Sequence, residues 1–253
     1  MRTWGINCLA LTSESALQER YLGDVHDFMK YALLRHLHEK LNMSIGVNWY
    51  LTEPSTVDSS TNNDGNQRYH LAGKTFAAID AKLLEALNHF NDKKQRKLST
   101  FEGAGILPSD TVFHAEEVPV IGRDNWHQTA LKKLTNSDLI FLDPDNGLVV
   151  PSASSRKIPK YARYEEIQDY LAAGKTVVSI QFARQCDPVR RAREIRAKIQ
   201  QILHEDANLP VVRCRVSPNI LFLFSAPTNQ NNDLSDALRS FSMKDQKRIE
   251  LIF

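Results

Sequence analysis

The pattern of hydrophobic and polar positions divides the 253-residue chain into alternating helical and extended segments. Apolar residues that recur every three or four positions, such as Phe28, Leu33, Leu34, Leu37 and Leu41, predict an α-helix with one buried face. Short uninterrupted apolar runs rich in β-branched and aromatic residues predict buried strands. Predicted helices cover residues 21–41, 74–90, 126–134, 164–173, 188–203 and 233–241. Predicted strands cover residues 44–51, 111–118, 138–142, 176–182, 211–216, 220–224 and 248–253.

The order of these segments predicts an α/β fold. Strands that alternate with helices build a parallel sheet covered on both faces, whereas the closely spaced strands near the C-terminus predict an antiparallel edge. We therefore expect a three-layer Rossmann-like sandwich with a mostly parallel sheet and an antiparallel C-terminal edge. Residues 1–253 are interpreted as one domain, with an irregular lead-in over 1–20 and a long functional loop over 52–73.

Composition narrows the class of protein without identifying a function. The hydrophobic fraction of 42% and the charged fraction of 25% are typical of a globular protein. No apolar run reaches the roughly 20 residues that cross a bilayer, so no membrane association is expected. Cys8, Cys186 and Cys214 form no Cys-x-x-Cys pair, which indicates a reducing, cytoplasmic compartment and argues against structural zinc. The net charge of +2 does not by itself predict a nucleic-acid partner, and oligomeric state is left open.

Ligands of parallel α/β sheets bind beyond the carboxyl ends of the strands, so polar clusters near those ends are candidate sites. In the first cluster, residues 23–31, Asp24 is interpreted as a helix N-cap. Asp27 and Lys30 share a helix face and form either a surface ion pair or part of a cleft. The second cluster, residues 62–66 with Asp64, suits a turn or a ligand site about equally.

The third cluster is the turn Asp143-Pro144-Asp145-Asn146-Gly147, which follows a wholly apolar predicted strand. A simple turn needs one acid and a glycine, whereas this one carries two carboxylates and an amide. A functional role is therefore favoured for Asp143, Asp145 and Asn146. Such groups accept hydrogen bonds from an amine or hydroxyl, or hold a divalent metal.

Basic residues are concentrated between positions 184 and 198. Arg184, Arg190 and Arg191 lead this segment, which also contains Arg193, Arg196 and Lys198. A solvated basic helix and a surface that faces phosphates of a nucleic acid are equally good interpretations.

Two of these motifs resemble those of class I, S-adenosylmethionine-dependent methyltransferases. The bacterial ribosomal-RNA adenine-N6 methyltransferases open with Ala-Asp-Val-Leu-Lys-His, which Asp27-Phe28-Met29-Lys30-Tyr31 resembles at Asp27 and Lys30. They carry Asp-Pro-Pro-Tyr after the fourth strand, which Asp143-Pro144-Asp145-Asn146 resembles at its first two positions. The chain is also similar to a group of bacterial proteins that share Gly-Asp-x-x-Asp-Phe-x-Lys-Tyr, Asn-Asp-Gly and Asp-Pro-Asp-Asn-Gly, a resemblance that implies no activity.

The methyltransferase resemblance implies S-adenosylmethionine as cofactor and a nucleic-acid base as target. Asp143 would accept a hydrogen bond from the target amine, while Asp27 and Lys30 would order the substrate end of the cleft. The residues implied in cofactor binding are Asp24, Glu53, Asp64 and Gly65.

Two further functions stay open. One is a metal-dependent nuclease or phosphohydrolase that uses Asp143 and Asp145, since enough hard oxygens to hold Mg²⁺ are supplied by these two with Asp24, Asp27 and Asp64. The chain could instead be a non-catalytic Rossmann-like component of a multi-protein system.

Overall fold

Seven strands form one mixed sheet in the part of the chain that the structure describes. The structure is a computed structural model, and it describes residues 19, 21–52, 67–72, 75–203 and 209–253. The strands are β1 (Ile45–Trp49), β2 (Val112–His114), β3 (Leu139–Asp143), β4 (Thr176–Ala183), β5 (Val211–Cys214), β6 (Asn219–Ser225) and β7 (Ile249–Ile252).

The strand order is β2-β1-β3-β4-β6-β5-β7. The pairings among β2, β1, β3 and β4 are parallel, and those among β4, β6, β5 and β7 are antiparallel. The predicted α/β class and the antiparallel C-terminal edge are confirmed. The expectation of a mostly parallel sheet is too strong, because β6 turns back immediately after β5 and inserts beside β4, so half of the sheet is antiparallel.

Seven α-helices accompany the strands in the described residues. They are α1 (Val25–Leu41), α2 (Ala77–Asn88), α3 (Leu98–Gly103), α4 (Arg123–Lys133), α5 (Tyr164–Ala172), α6 (Pro188–Leu203) and α7 (Asn231–Met243). Helix α3 was not predicted, because six residues contain too few turns to show a helical period. No described helix has both the length and the apolar character required to cross a membrane.

Apolar side chains cover both faces of the sheet. Along β3, Leu139 and Phe141 belong to one hydrophobic cluster, while Ile140 and Leu142 belong to the other, as expected when successive strand residues face opposite sides. The first cluster includes residues of α1, α2 and α7, and the second includes residues of α4, α5 and α6. Burial on both faces explains why β3 reads as an uninterrupted apolar run.

Helix α1 begins where the sequence predicted a cap. The Asp24 carboxylate accepts hydrogen bonds from the backbone N–H groups of His26 and Asp27, which confirms Asp24 as the N-cap. The backbone N–H of Val25 donates to the carbonyl of Gln67, so the segment after the long loop packs against the same helix end. The predicted lead-in over 1–20 lies almost wholly outside the described residues, as do residues 53–66 of the predicted loop.

Candidate functional site

Three of the polar segments lie at the carboxyl edge of the sheet: the start of α1, the turn after β3 and the basic segment after β4. Strands β1, β3 and β4 are parallel, so their carboxyl ends lie at one edge, where Trp49 pairs with Asp143. Helix α1 precedes β1 and ends near the amino end of that strand. The N-terminus of α1 therefore lies at the carboxyl edge of the sheet. Strand β6 is antiparallel to β4, so Asn219 at its start pairs with Ala183 and lies at the same edge.

A buried ion cluster connects α1 to the end of β3. The Lys30 Nζ lies 2.8 Å from Asp143 Oδ1 and 3.2 Å from Asp27 Oδ1. The side chains of Lys30, Asp27 and Asp143 are only 11%, 7% and 6% exposed. The Asp27–Lys30–Asp143 cluster therefore joins two motifs far apart in sequence.

Burial and mutual charge set the protonation of this cluster. Burial raises the pKa of Asp27 to about 7; Lys30 opposes the shift, and Asp24 and Asp143 add to it. Burial alone would lower the pKa of Lys30, but Asp143 and Asp27 outweigh it and the Lys30 pKa rises. The cluster thus contains a firmly charged ammonium beside a carboxyl group that titrates near neutral pH.

The N-terminus of α1 is fixed on both sides of Asp27. The backbone N–H of Gly23 donates to Asp27 Oδ2 at 2.9 Å, and the Arg68 guanidinium donates to the carbonyls of Leu22 and Gly23. His26 Nε2 lies 2.9 Å from the carbonyl oxygen of Pro218, which connects the helix to the start of β6. Asp24, expected to contact a cofactor, uses its carboxylate to cap the helix and lies 3.5 Å from His26 Nδ1.

The two acids of the turn after β3 contact different lysines. Asp143 contacts Lys30, whereas Asp145 Oδ2 lies 3.6 Å from Lys160 Nζ. The backbone N–H of Asn146 donates to the Lys160 carbonyl. The Lys30 ammonium contacts both Asp27 and Asp143. It therefore lies where a metal ion that bridges these two carboxylates would lie. Among the described residues, no group of three or more His, Cys, Asp or Glu side chains is arranged to hold a metal ion.

Glycine and a neighbouring strand determine the shape of this turn. Gly147 has φ +85°, and a Cβ there would lie 2.7 Å from Gln181 Oε1 and 2.8 Å from the Ile180 carbonyl. Gln181 Oε1 accepts a hydrogen bond from the backbone N–H of Leu148. Residue 147 must therefore be glycine both for its conformation and for its close approach to β4.

Several buried polar atoms near the end of β1 and the start of α1 have no hydrogen-bond partner among the described residues. They are Trp49 Nε1, Thr52 Oγ1 and both ring nitrogens of His70, which is fully buried. Burial lowers the pKa of His70 to about 4, so this ring is neutral at physiological pH. Unpaired buried polar atoms are costly, and a polar ligand is one means of satisfying them. Glu53, Asp64 and Gly65, also expected to bind a cofactor, lie outside the described residues.

Sequence reasoning missed a second buried polar group on the other face of the sheet. The Arg123 Nε donates to Glu166 Oε1 at 2.7 Å, and the Tyr50 hydroxyl donates to Glu166 Oε2 at 2.8 Å. Arg123 also donates to the carbonyls of Ile158 and Tyr161. These residues flank Lys160, which contacts the Asp143–Gly147 turn. The sequence carries little signal for this group, because an arginine and a glutamate at helix starts usually lie on the surface.

The three arginines expected to face phosphates lie past the end of β4. Arg184 follows the strand directly, and Arg190 and Arg191 lie in the first turn of α6. They line a surface groove of about 270 Å³ together with Phe182. Arg184 and Arg190 are exposed, and Arg191 is partly buried.

Comparison with known proteins identifies no family for the chain. No protein-family model matches it, and no curated protein matches it in sequence. Its function is therefore inferred from the residues and contacts described above.

Proposed function

We propose that the chain is a methyltransferase-like enzyme that acts on a base of a nucleic acid and uses S-adenosylmethionine. The contact between Lys30 and Asp143 is the observation that carries this proposal. It unites the two segments, Asp27–Tyr31 and Asp143–Asn146, on which the resemblance to the adenine-N6 methyltransferases depends. Both segments lie at the carboxyl edge of the parallel strands, where ligands of such sheets bind.

The fold supports the same proposal at a coarser level. Helices associated with both hydrophobic clusters fit a three-layer Rossmann-like sandwich. The antiparallel strand β6 lies between β4 and β5, and a strand inserted in this way is typical of class I methyltransferases. Because one fold supports many activities, this similarity adds to the site geometry and does not replace it.

The carboxyl edge of β1 has the polar groups that a cofactor of this kind requires. S-adenosylmethionine, when bound, supplies an electrophilic methyl group. Trp49 Nε1 and Thr52 Oγ1, which have no hydrogen-bond partner among the described residues, can hydrogen-bond its polar groups, and the neutral His70 ring can donate or accept. Glu53 and Asp64 follow the same strand in sequence and stay candidates for its amino and ribose groups.

The Asp27–Lys30–Asp143 cluster would orient the target base. Lys30 fixes one oxygen of Asp143 and leaves the carboxylate able to accept a hydrogen bond from an exocyclic amine. The Pro144 carbonyl would accept the second amine hydrogen, and Asn146 would hydrogen-bond the edge of the base where the related enzymes carry an aromatic residue. Asp27, with a pKa of about 7, is partly ionised at neutral pH, and its ionised form would take up the proton that the amine loses.

Isothermal titration calorimetry with S-adenosylmethionine and S-adenosylhomocysteine tests the cofactor assignment. The wild-type chain and an Asp143→Asn variant should both bind, whereas only the wild type should transfer a radiolabelled methyl group to RNA or DNA. Asp124→Asn, which changes an exposed acid in the first turn of α4, is the matched control and should keep transfer. Absence of cofactor binding to the wild-type chain would refute the proposal.

A further inference from the structure

The groove at the start of α6 lies beside the ion cluster. It is lined by Phe182, Arg184, Cys186, Asp187, Arg190, Arg191 and Glu194. The Phe182 ring meets the His26 ring edge-on, with 5.4 Å between ring centroids. His26 directly precedes Asp27, so a molecule in the groove lies next to the proposed site of chemistry.

Positive charge is concentrated on helix α6, and the groove at its start is lined by three arginines and two acids, a net +1. Helix α6 carries four arginines, one lysine and one glutamate, a net +4, whereas the whole chain carries +2, so the remainder of the chain sums to −2. Asp187, one of the two acids in the groove, accepts a hydrogen bond from the backbone N–H of Arg190. Glu194, the other, lies 3.7 Å from the exposed Arg190 and 3.9 Å from the partly exposed Arg191. Such pairs are weak, so both arginines can turn to a phosphate at little cost.

One wall of the groove is a stack of an arginine on an aromatic ring. The Arg184 guanidinium lies over the Phe182 ring, 5.2 Å from its centroid, and Phe182 is partly exposed. Unpaired nucleic-acid bases stack on aromatic rings and on guanidinium planes. A base inside a duplex has both faces covered by its neighbours, so this wall is suited to single strands.

We propose that this groove binds a single-stranded nucleic acid, with phosphates at Arg184, Arg190 and Arg191 and one base stacked on the Phe182–Arg184 pair. This proposal deepens the proposed function. It rests on that function for one claim, that the bound strand is the substrate. The groove of about 270 Å³ lies near the lower end of ligand-pocket sizes, about 300 Å³, so it suits one nucleotide unit at a time.

Fluorescence anisotropy with a fluorescein-labelled, unstructured 12-nucleotide RNA at several salt concentrations tests the groove. Each phosphate contact to a single strand contributes about −0.7 to the slope of log K against log salt. The triple variant Arg184→Ala/Arg190→Ala/Arg191→Ala should therefore lose about 2 from the magnitude of the slope. The matched control, Lys40→Ala/Lys132→Ala/Lys133→Ala, removes the same charge from exposed sites toward the amino edge of the sheet and should keep the slope. Equal slopes for the two triple variants would overturn the proposal.

A second variant separates stacking from charge. Phe182→Leu should weaken RNA binding on the order of tenfold without changing the salt slope. Unlabelled single-stranded RNA should displace the probe more strongly than a duplex of equal length or a 12-residue poly-aspartate. Equal competition by the duplex or by the acidic peptide overturns the single-strand assignment.

Calorimetry with S-adenosylmethionine distinguishes failure of the groove from failure of the proposed function. RNA binding that depends on the groove, in a chain that binds no cofactor, supports the groove and refutes the methyltransferase proposal. Cofactor binding by a wild-type chain that binds no RNA refutes the groove alone.

Discussion

Lys30 and Asp143 form the contact that connects helix α1 to the end of strand β3. The two charged atoms are 2.8 Å apart, and both side chains are nearly excluded from water. Desolvation of such charges is costly, and the cost is offset only while both partners are present. The pair therefore makes the turn after β3 depend on residues at the start of α1.

We expect Lys30→Met to destabilise the fold by about 3–5 kcal/mol, because it leaves Asp143 and Asp27 buried without a cation. Asp143→Asn should remove part of that cost, so the double variant should be more stable than the sum of the single changes predicts. A double-mutant cycle of unfolding free energies in urea measures this coupling. The exposed pair Arg190 and Glu194, 3.7 Å apart, is the control and should couple by less than about 1 kcal/mol. Additive effects at Lys30 and Asp143 would show that the contact contributes nothing.

The pKa of Asp27 predicts a specific dependence of stability on pH. Burial raises this pKa to about 7, well above the value of about 3.9 in an unfolded chain. At a pH between these two pKa values, Asp27 holds a proton in the folded chain and has released it in the unfolded chain. The contribution of Asp27 to stability is therefore fully present below about pH 4 and is lost as pH rises through about 7.

Asp27→Asn should abolish this dependence. From about pH 4.5 to 7.5, the stability of the wild type relative to the variant should fall by up to about 1.4 kcal/mol per pH unit. Urea denaturation at several pH values gives the two curves. Asp138→Asn is the control: hydrogen bonds from Ser44 lower the pKa of Asp138, so that group should titrate below this range. Parallel curves for wild type and Asp27→Asn would contradict the raised pKa.

Local residue patterns predicted much of this fold and part of the site. The apolar run of β3, the cap at Asp24 and the shared face of Asp27 and Lys30 depend on neighbours in sequence, so the sequence carries their signal. The contact of Lys30 with Asp143 depends on how α1 packs across the sheet, which no short pattern encodes. Charged residues such as Arg123 and Glu166 look like surface positions until the packing that buries them is known.

Arg123 should not be replaceable by lysine. Its guanidinium makes two hydrogen bonds to Glu166, at 2.7 and 3.0 Å, and further ones to the carbonyls of Ile158 and Tyr161. A lysine has three donors on a single atom and cannot reach all of these acceptors, so buried oxygens lose their partners. We expect Arg123→Lys to cost about 2–4 kcal/mol in urea unfolding.

Arg163→Lys is the matched control for this change. The Arg163 side chain is 36% exposed and lies 3.4 Å from Asp124, which is 95% exposed. An exposed pair of this kind contributes little, so the control should change stability by less than about 0.5 kcal/mol. Similar losses for the two lysine variants would mean that the buried arrangement of Arg123 has no special energetic role.

The turn that carries Asp143 and Asn146 depends on the absence of a side chain at Gly147. Gly147→Ala adds a Cβ that meets Gln181 Oε1 at 2.7 Å and the Ile180 carbonyl at 2.8 Å, in addition to the strain of φ +85°. Gly174→Ala is the matched control, because Gly174 has φ +75° and no atom within 4 Å of an added Cβ. The control should lose about 1–2 kcal/mol from backbone strain alone. Gly147→Ala should lose about 1–3 kcal/mol more in urea unfolding, because the backbone of β4 cannot move aside as a surface side chain would. Equal losses at the two glycines would mean that β4 yields to the added atom, and that the close approach does not hold the turn in place.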